Sequence, residues 1–215
     1  MDYKQLVIDS GIEMSKRHLT VSTWGNISIQ DRKTGYIYIT PSGMDYDTCT
    51  RDDILVYGKD GNLVEGYRRP SIEKNMHLWI HQARPDVGAV MHTHPIYSTV
   101  FATLNWDIPA VTEEFAQVIG KQVRCAEYFL PGTDDLARAV VKALGDSQAV
   151  LCVNHGTVCV GNDIEHVFKV STVLEKACQV YYMCKCIGEP HIIDDKDVEI
   201  MKDFAANQYG QPKNK

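Results

Sequence analysis

Hydrophobic residues recur along the chain in two patterns, one typical of helices and one typical of short strands. Helical spacing of apolar positions predicts helices over about 2–18, from Ser71 onward, and over about 134–144, 163–186 and 194–206. Short runs of β-branched and apolar residues between turn residues predict strands. These strand segments are TWGNISIQ, YIYIT, DILVY, LVEG, VGAVMHTH, IPAV, QVRCAEY, AVLCV and TVCVG.

Short turns join several of the predicted strands to their neighbours. DRKTG separates the first two strands, GKDGN the next two and NHG the last two. Strictly alternating strand–helix–strand units are absent from the pattern. The sequence therefore predicts an α/β fold of the α+β type, a single domain over 1–215. We expect a mainly antiparallel central sheet covered by helices on both sides.

Composition and charge narrow the function classes. The net charge of -6 argues against a nucleic-acid partner and against binding to an anionic membrane surface. No apolar run approaches the roughly 18 residues that cross a bilayer, and the first residues do not resemble a secretory signal. The seven cysteines include no CxxC pair, which favours reduced thiols. We therefore expect a cytoplasmic protein.

Three histidines are candidates for a metal site. His92 and His94 are separated by one residue at the end of a predicted strand, so both imidazoles face the same side, roughly 6–7 Å apart. Two converging imidazoles suit a divalent metal. His155 lies in the NHG turn of a predicted hairpin and offers a third nitrogen. The alternative is that this HxH pair comprises one core histidine and one surface histidine.

Glu73 lies in the first turn of the helix predicted from Ser71. The helix dipole stabilises a carboxylate there, and the same carboxylate is a candidate metal ligand or general base. A competing metal site also uses this residue. Glu73, His77 and His81 are spaced four residues apart and would line one helical face, although the helix must also bury Ile72.

Three small polar turns, at 23–26, 40–43 and 70–71, are candidates for an anion site. Glycine allows a close backbone approach, and exposed N–H groups with hydroxyls can surround an anion. A helix that begins near the third turn would add its positive dipole end. Such a pocket would hold a phosphate without a lysine.

Five motifs in a fixed order resemble the class II aldolase family, in particular its L-fuculose-1-phosphate aldolase branch. They are GNIS at 25–28, TPSG at 40–43, PSIE at 70–73, HTHP at 92–95 and NHG at 154–156. The resemblance spans nearly the whole chain.

The resemblance implies roles for individual residues. His92, His94 and His155 would bind one zinc ion per subunit. Glu73 would coordinate that zinc at rest and move off to exchange protons with the substrate. The substrate phosphate would be held by Gly25, Asn26, Ser42, Gly43 and Ser71.

The resemblance also implies a homotetramer with active sites between subunits. A tyrosine from the neighbouring subunit's C-terminal tail would reach into each site, and Tyr209 matches that position. The tail, about 207–215, is expected to be flexible.

Two positions depart from the fuculose-phosphate aldolase pattern. These enzymes have a tyrosine shortly after the IPA segment that protonates the aldehyde oxygen, whereas this chain has Glu113 and Glu114. Glu113 falls closest to the tyrosine position and is the candidate acid. Because the segment reads as a strand, only one of the two carboxylates should face the site. Ile72 stands where aldolases often have a second serine, which removes one phosphate donor.

The implied activity is a zinc-dependent retro-aldol cleavage of a ketose 1-phosphate, such as L-fuculose 1-phosphate. The products would be dihydroxyacetone phosphate and a short aldehyde. A pentulose-phosphate 4-epimerase or a sugar-phosphate dehydratase of the same family is the alternative. A non-catalytic scaffold, as in the adducin head, is a weaker alternative because all three histidines are present.

Overall fold

A nine-stranded β-sheet forms the centre of the computed structural model, which describes residues 1–211. Numbered in chain order, the strands are β1 (Asn26–Gln30), β2 (Ile37–Ile39), β3 (Leu55–Tyr57), β4 (Leu63–Glu65), β5 (Ala89–Thr93), β6 (Ile108–Pro109), β7 (Gln122–Ala126), β8 (Ala149–Cys152) and β9 (Gly156–Gly161). Their order across the sheet is β4-β3-β2-β1-β5-β9-β8-β7-β6. All neighbouring strands are antiparallel except β7 and β8, which are parallel. The prediction of a mainly antiparallel sheet is confirmed, with one parallel pair in addition.

Helices cover both faces of the sheet. In the described part of the chain they are α1 (Tyr3–Lys16), α2 (Lys74–Ala83), α3 (Ile96–Leu104), α4 (Glu113–Val118), α5 (Asp134–Leu144), α6 (Ile164–Ile187) and α7 (Asp195–Asn207). One apolar cluster contains buried residues of α1, α3, α4, α6 and α7, and a second contains those of α2 and α5. Met91 of β5 belongs to the first cluster and Val90 to the second. Since neighbouring residues of a strand face opposite ways, the two clusters lie on opposite faces.

The middle of the sheet determines where the site forms. In the pairing of β1 with β5, Asn26 at the start of β1 lies opposite His92 near the end of β5. In the pairing of β5 with β9, Thr93 lies opposite Thr157. The PSIE turn and the TPSG turn meet through a bridge between Pro41 and Pro70. Several of the motifs therefore converge where the central strands β1, β5 and β9 begin or end.

The start of α2 differs from the sequence prediction. The helix begins at Lys74 and not at Ser71, with Glu73 in the N-cap position. Ile72, predicted to be buried in the apolar stripe of this helix, is 64% exposed because it lies in the turn before the first helical residue. Met76 and Ile80 of the same stripe are buried, as predicted.

Two short helices were not predicted from the pattern. Residues of α3 were assigned to no element, and those of α4 were expected to extend a strand. The side chain of Thr112 accepts a hydrogen bond from the Phe115 N–H and starts α4, so Glu113 and Glu114 lie in its first helical turn. The expectation that they alternate along an extended chain is wrong.

Within residues 1–211, no helix combines the length and the apolar composition that crossing a bilayer requires. Residues 212–215 of the tail that was expected to be flexible lie outside the described residues.

Candidate active site

Three imidazoles converge at the end of β5 and the start of β9, in the middle of the sheet. The Nε2 atom of His92 lies 2.8 Å from that of His94 and 3.3 Å from that of His155. Their possible ligand atoms all lie within 4.8 Å of one another. A cluster of three nitrogen donors at this spacing can hold a divalent metal and leave a further position open.

The backbone around the cluster brings these rings together. His92 Nδ1 donates a hydrogen bond of 2.9 Å to the carbonyl of Thr157, which leaves the Nε2 lone pair directed at the cluster. A Cβ atom on Gly156 would lie 2.3 Å from the Thr93 carbonyl oxygen and 2.8 Å from the His94 ring. Glycine therefore allows the turn that carries His155 to pack against the HTH segment.

Glu73 lies directly beside the histidines. Its Oε2 atom is 3.3 Å from His92 Nε2, and its Oε1 atom is 3.6 Å from His155 Nε2. Oε2 also accepts a 2.9 Å hydrogen bond from the Asn26 amide, whereas Oε1 is buried without a hydrogen-bond partner in the described structure. The carboxylate is 5% exposed, so an unpartnered oxygen there is costly unless a cation or a substrate group pairs with it.

The ionisation states favour cation binding. Burial and the neighbouring imidazoles lower the pKa of His94 to about 3, and burial and His92 lower that of His155 to about 4. Burial by itself would raise the pKa of Glu73, but His92, His155 and the Asn26 amide outweigh it and hold the pKa below its ordinary value. At neutral pH the site therefore combines neutral His94 and His155 imidazoles with an ionised Glu73 carboxylate.

A cavity of about 410 Å³ opens from the histidines toward the polar turns. Its lining includes all five residues of the expected phosphate site, together with Glu73, His94 and His155. The complete lining is Thr23, Trp24, Gly25, Asn26, Pro41, Ser42, Gly43, Ser71, Ile72, Glu73, His94 and His155. Among the described residues, no lysine or arginine contributes to the lining. An anion bound here would rely on hydroxyl, amide and backbone donors.

Hydrogen bonds within the turns show which donors remain for a ligand. The Ser42 amide donates to the Arg69 carbonyl, and the Ser71 amide donates to the Thr40 carbonyl. The Ser71 hydroxyl oxygen accepts from the Glu73 amide, which leaves its hydrogen for a ligand. The two backbone amides of the serines are therefore occupied, which leaves their hydroxyl groups as the side-chain donors that these two lining residues can offer a ligand.

Glycine at position 25 permits the close approach of the GNIS turn to β5. Gly25 has a φ of 99°, and a Cβ atom there would lie 3.0 Å from the His92 carbonyl oxygen and 2.9 Å from the Thr20 hydroxyl. Gly25 therefore has a packing role in addition to its expected contact with the phosphate.

Three residues from the sequence-derived site lie outside the cavity of their own chain. Glu113 and Glu114 are exposed in α4, and Glu114 forms a 2.7 Å ion pair with Lys176. Tyr209 is 69% exposed and packs edge-on against Phe204. The roles expected for Glu113 and Tyr209 remain predictions.

The competing metal site on α2 does not form. In the described residues the metal-type cluster consists of His92, His94 and His155. His77 and His81 are instead buried behind Glu73 and bond to Asn26 and Ser28. Their helical spacing was visible in the sequence, but their hydrogen-bond partners on β1 were not.

The chain is similar to known enzymes that act on sugar phosphates. The family model for the class II aldolase and adducin N-terminal domain matches residues 5–182. The chain belongs to this class II aldolase family. The resemblance seen in the five motifs is thereby confirmed.

Two relatives and one solved structure illustrate the range of the family. A 5-deoxy-D-ribulose 1-phosphate aldolase of Bacillus thuringiensis serovar kurstaki is 38% identical over 209 residues, 97% of each chain. An L-ribulose-5-phosphate 4-epimerase of Salmonella paratyphi B is 29% identical over 220 residues, 96% of each chain. The structure of an L-fuculose 1-phosphate aldolase is 39% identical with a TM-score of 0.91, covering 94% of this chain and 95% of that one. The expected single-domain α/β fold is confirmed.

Proposed function

We propose that this class II aldolase family member is a zinc-dependent lyase that cleaves a ketose 1-phosphate into dihydroxyacetone phosphate and a short aldehyde. The observation that carries the proposal is the junction of two sites in one cavity. Glu73, His94 and His155 line one side, and the polar turns line the other. A ketose phosphate has its carbonyl next to its phosphorylated carbon and would contact both.

The chemistry of the donor set fits zinc. Three imidazole nitrogens and a carboxylate oxygen are ligands of the kind that zinc binds in proteins, and the unpartnered Glu73 Oε1 would gain a partner. When bound, zinc would act as a Lewis acid that polarises the substrate carbonyl.

The protein's own residues would supply binding and proton transfer. Asn26, Ser42, Gly43 and Ser71 would hold the phosphate and thereby fix the reacting carbons next to the histidines. Glu73 would take up a proton from water and transfer it to the carbon that carried the departing aldehyde. Its position between the histidines and the open cavity supports this role.

A homotetramer with sites shared between subunits is part of the proposal. Within residues 1–211 no tyrosine lines the cavity, and Tyr209 would enter from a neighbouring subunit. The three histidines that could bind a metal are all present and lie together, which supports an enzyme over a scaffold.

The group that protonates the aldehyde oxygen in the aldol direction, and that takes the proton from the substrate C4 hydroxyl in cleavage, is assigned to Glu113. We expect Glu113→Gln to lower cleavage by roughly 10²-fold or more, as for loss of a general acid–base group. Glu114→Gln is the matched control, because Glu114 is exposed in the same helical turn but pairs with Lys176. The measurement is kcat for aldol cleavage by each variant. Parent-like rates in both variants would remove Glu113 from the mechanism.

The substrate phosphate should matter strongly. Cleavage of a ketose 1-phosphate, followed by detection of dihydroxyacetone phosphate, tests the proposed function directly. We expect kcat/KM for the same ketose without its phosphate to be at least about 100-fold lower, because several hydrogen bonds to a charged group are lost. Equal efficiency on the two compounds would contradict the phosphate site.

A variant of the phosphate turn sharpens this comparison. Ser42 is exposed and lines the cavity, so Ser42→Ala should leave folding unchanged. It should raise KM for the phosphorylated ketose by about tenfold and leave KM for the non-phosphorylated ketose unchanged.

Conversion of a pentulose phosphate to its 4-epimer without aldehyde release would instead identify an epimerase. Loss of water from the substrate would identify a dehydratase.

A further inference from the structure

A continuous chain of hydrogen bonds runs from Glu73 into the protein interior. Glu73 Oε2 pairs with Asn26 Nδ2 at 2.9 Å, and Asn26 Oδ1 pairs with His77 Nε2 at 2.5 Å. His77 Nδ1 pairs with Ser28 Oγ at 2.8 Å, and Ser28 Oγ pairs with His81 Nε2 at 2.9 Å. Five side chains from β1 and α2, or the turn before it, are thus linked in series.

The chain is shielded from solvent. Its members are at most 6% exposed, and Ser28 and His77 are completely buried. Hydrogen bonds between buried polar groups are stronger than those in water, and a group that loses its partner cannot turn to solvent instead. The geometry of each member therefore depends on the next one.

The direction of every hydrogen bond follows from the orientation of the Asn26 amide. Its NH₂ group donates to Glu73 Oε2, so its carbonyl oxygen, which can only accept, faces His77. His77 must then carry its hydrogen on Nε2, and its Nδ1 must accept from the Ser28 hydroxyl. Ser28 in turn accepts from His81 Nε2. All donors point toward Glu73.

We propose that His77 is a positioning residue that holds the Asn26 amide, and through it the Glu73 carboxylate, while Ser28 and His81 fix the tautomer of His77. The role rests on the proposed function, because Glu73 and Asn26 are assigned there to proton transfer and phosphate binding. Without the hydrogen from His77, the Asn26 amide can rotate. Its hydrogen bond to Glu73 and its proposed contact with the substrate phosphate would then be lost together. Substitution of a residue that orients a ligand or catalytic residue typically lowers activity by about 10–100-fold.

The first experiment measures the tautomers in the parent protein. Histidine-selective ¹⁵N labelling and long-range ¹H–¹⁵N spectra of the metal-free protein report which ring nitrogen carries the hydrogen. The His77 signal is identified by its absence in His77→Gln. We expect the hydrogen on Nε2 of His77 and of His81, and on Nδ1 of His92. A hydrogen on His77 Nδ1 would reverse the chain and overturn the proposal.

The second experiment compares two substitutions of the same residue. His77→Gln retains an N–H donor near the position of Nε2, whereas His77→Leu retains none. With zinc loaded, we expect His77→Leu to lose about 10–100-fold in kcat/KM and His77→Gln to recover most of that loss. Zinc content should stay at the parent level in both variants, since the three histidine ligands are untouched.

Stability measurements separate positioning from packing. If both variants unfold at the same urea concentration but differ in activity, the N–H donor at position 77 and not its packing causes the difference. Equal activity of the Leu and Gln variants would overturn the proposal. A parent protein that cleaves no ketose phosphate would instead refute the proposed function, and the tautomer measurement would still decide whether the chain of hydrogen bonds is oriented as described.

Discussion

Glu73→Gln is expected to fold like the parent and to lose at least about 100-fold in turnover, as for removal of a proton-transfer group. The glutamine side chain nearly matches the carboxylate in shape, and its oxygen can still accept from the Asn26 amide. It cannot take up a proton and return it. The measurement is kcat of the zinc-loaded variant, together with its urea unfolding midpoint.

An exposed glutamate on α1 provides the control for this prediction. Glu13→Gln removes an exposed carboxylate on α1 that pairs with Arg17. It should leave turnover unchanged, because exposed pairs of this kind contribute little and lie outside the cavity. Turnover of Glu73→Gln within about threefold of the parent would make Glu73 only a charge at the start of α2.

His155→Ala is expected to abolish stable zinc binding. The parent should hold one zinc ion per subunit after dialysis, and loss of one of three imidazole ligands should weaken zinc affinity by more than about 100-fold. The fold should persist, because His155 is in a surface turn and is only partly buried. The measurement is metal content per subunit by elemental analysis, which does not depend on activity.

Two further variants distinguish the ligand set from its alternative. His191→Ala changes an exposed histidine outside the cluster and should leave zinc content at the parent level. His77→Gln tests the competing helical site and should also retain zinc. Full occupancy in His155→Ala, or loss of zinc in His77→Gln, would show that the ligands are wrongly assigned.

Local sequence signals were sufficient for most strands and for the long helices. The alternation and turn residues around β1 to β4, and the apolar spacing of α5 and α6, predicted elements close to those observed. The HTH segment also followed from local rules, because strand periodicity places His92 and His94 on one side whatever the sheet around them.

The two unpredicted helices depended on different kinds of signal. For α4 the signal was local, since Thr112 followed by two acidic residues is a typical helix start. For α3 it was distant. The carboxylate of Glu175 on α6 accepts hydrogen bonds from the amides of Tyr97 and Ser98 at the beginning of α3. No pattern near Pro95 reveals that a cap arrives from a residue so far along the chain.

The sequence by itself determined the donor chemistry of this protein: three histidines, a carboxylate and glycine-containing polar turns, in an order shared with the family. Only the tertiary structure decided which histidines converge. His77 and His81 had the spacing of metal ligands, yet their rings face Asn26 and Ser28 across the packing of α2 on β1. Spacing along a helix determines only which side chains share a face. Coordination and proton transfer need atoms of distant segments within a few ångströms of one another, and those distances depend on strand register and packing.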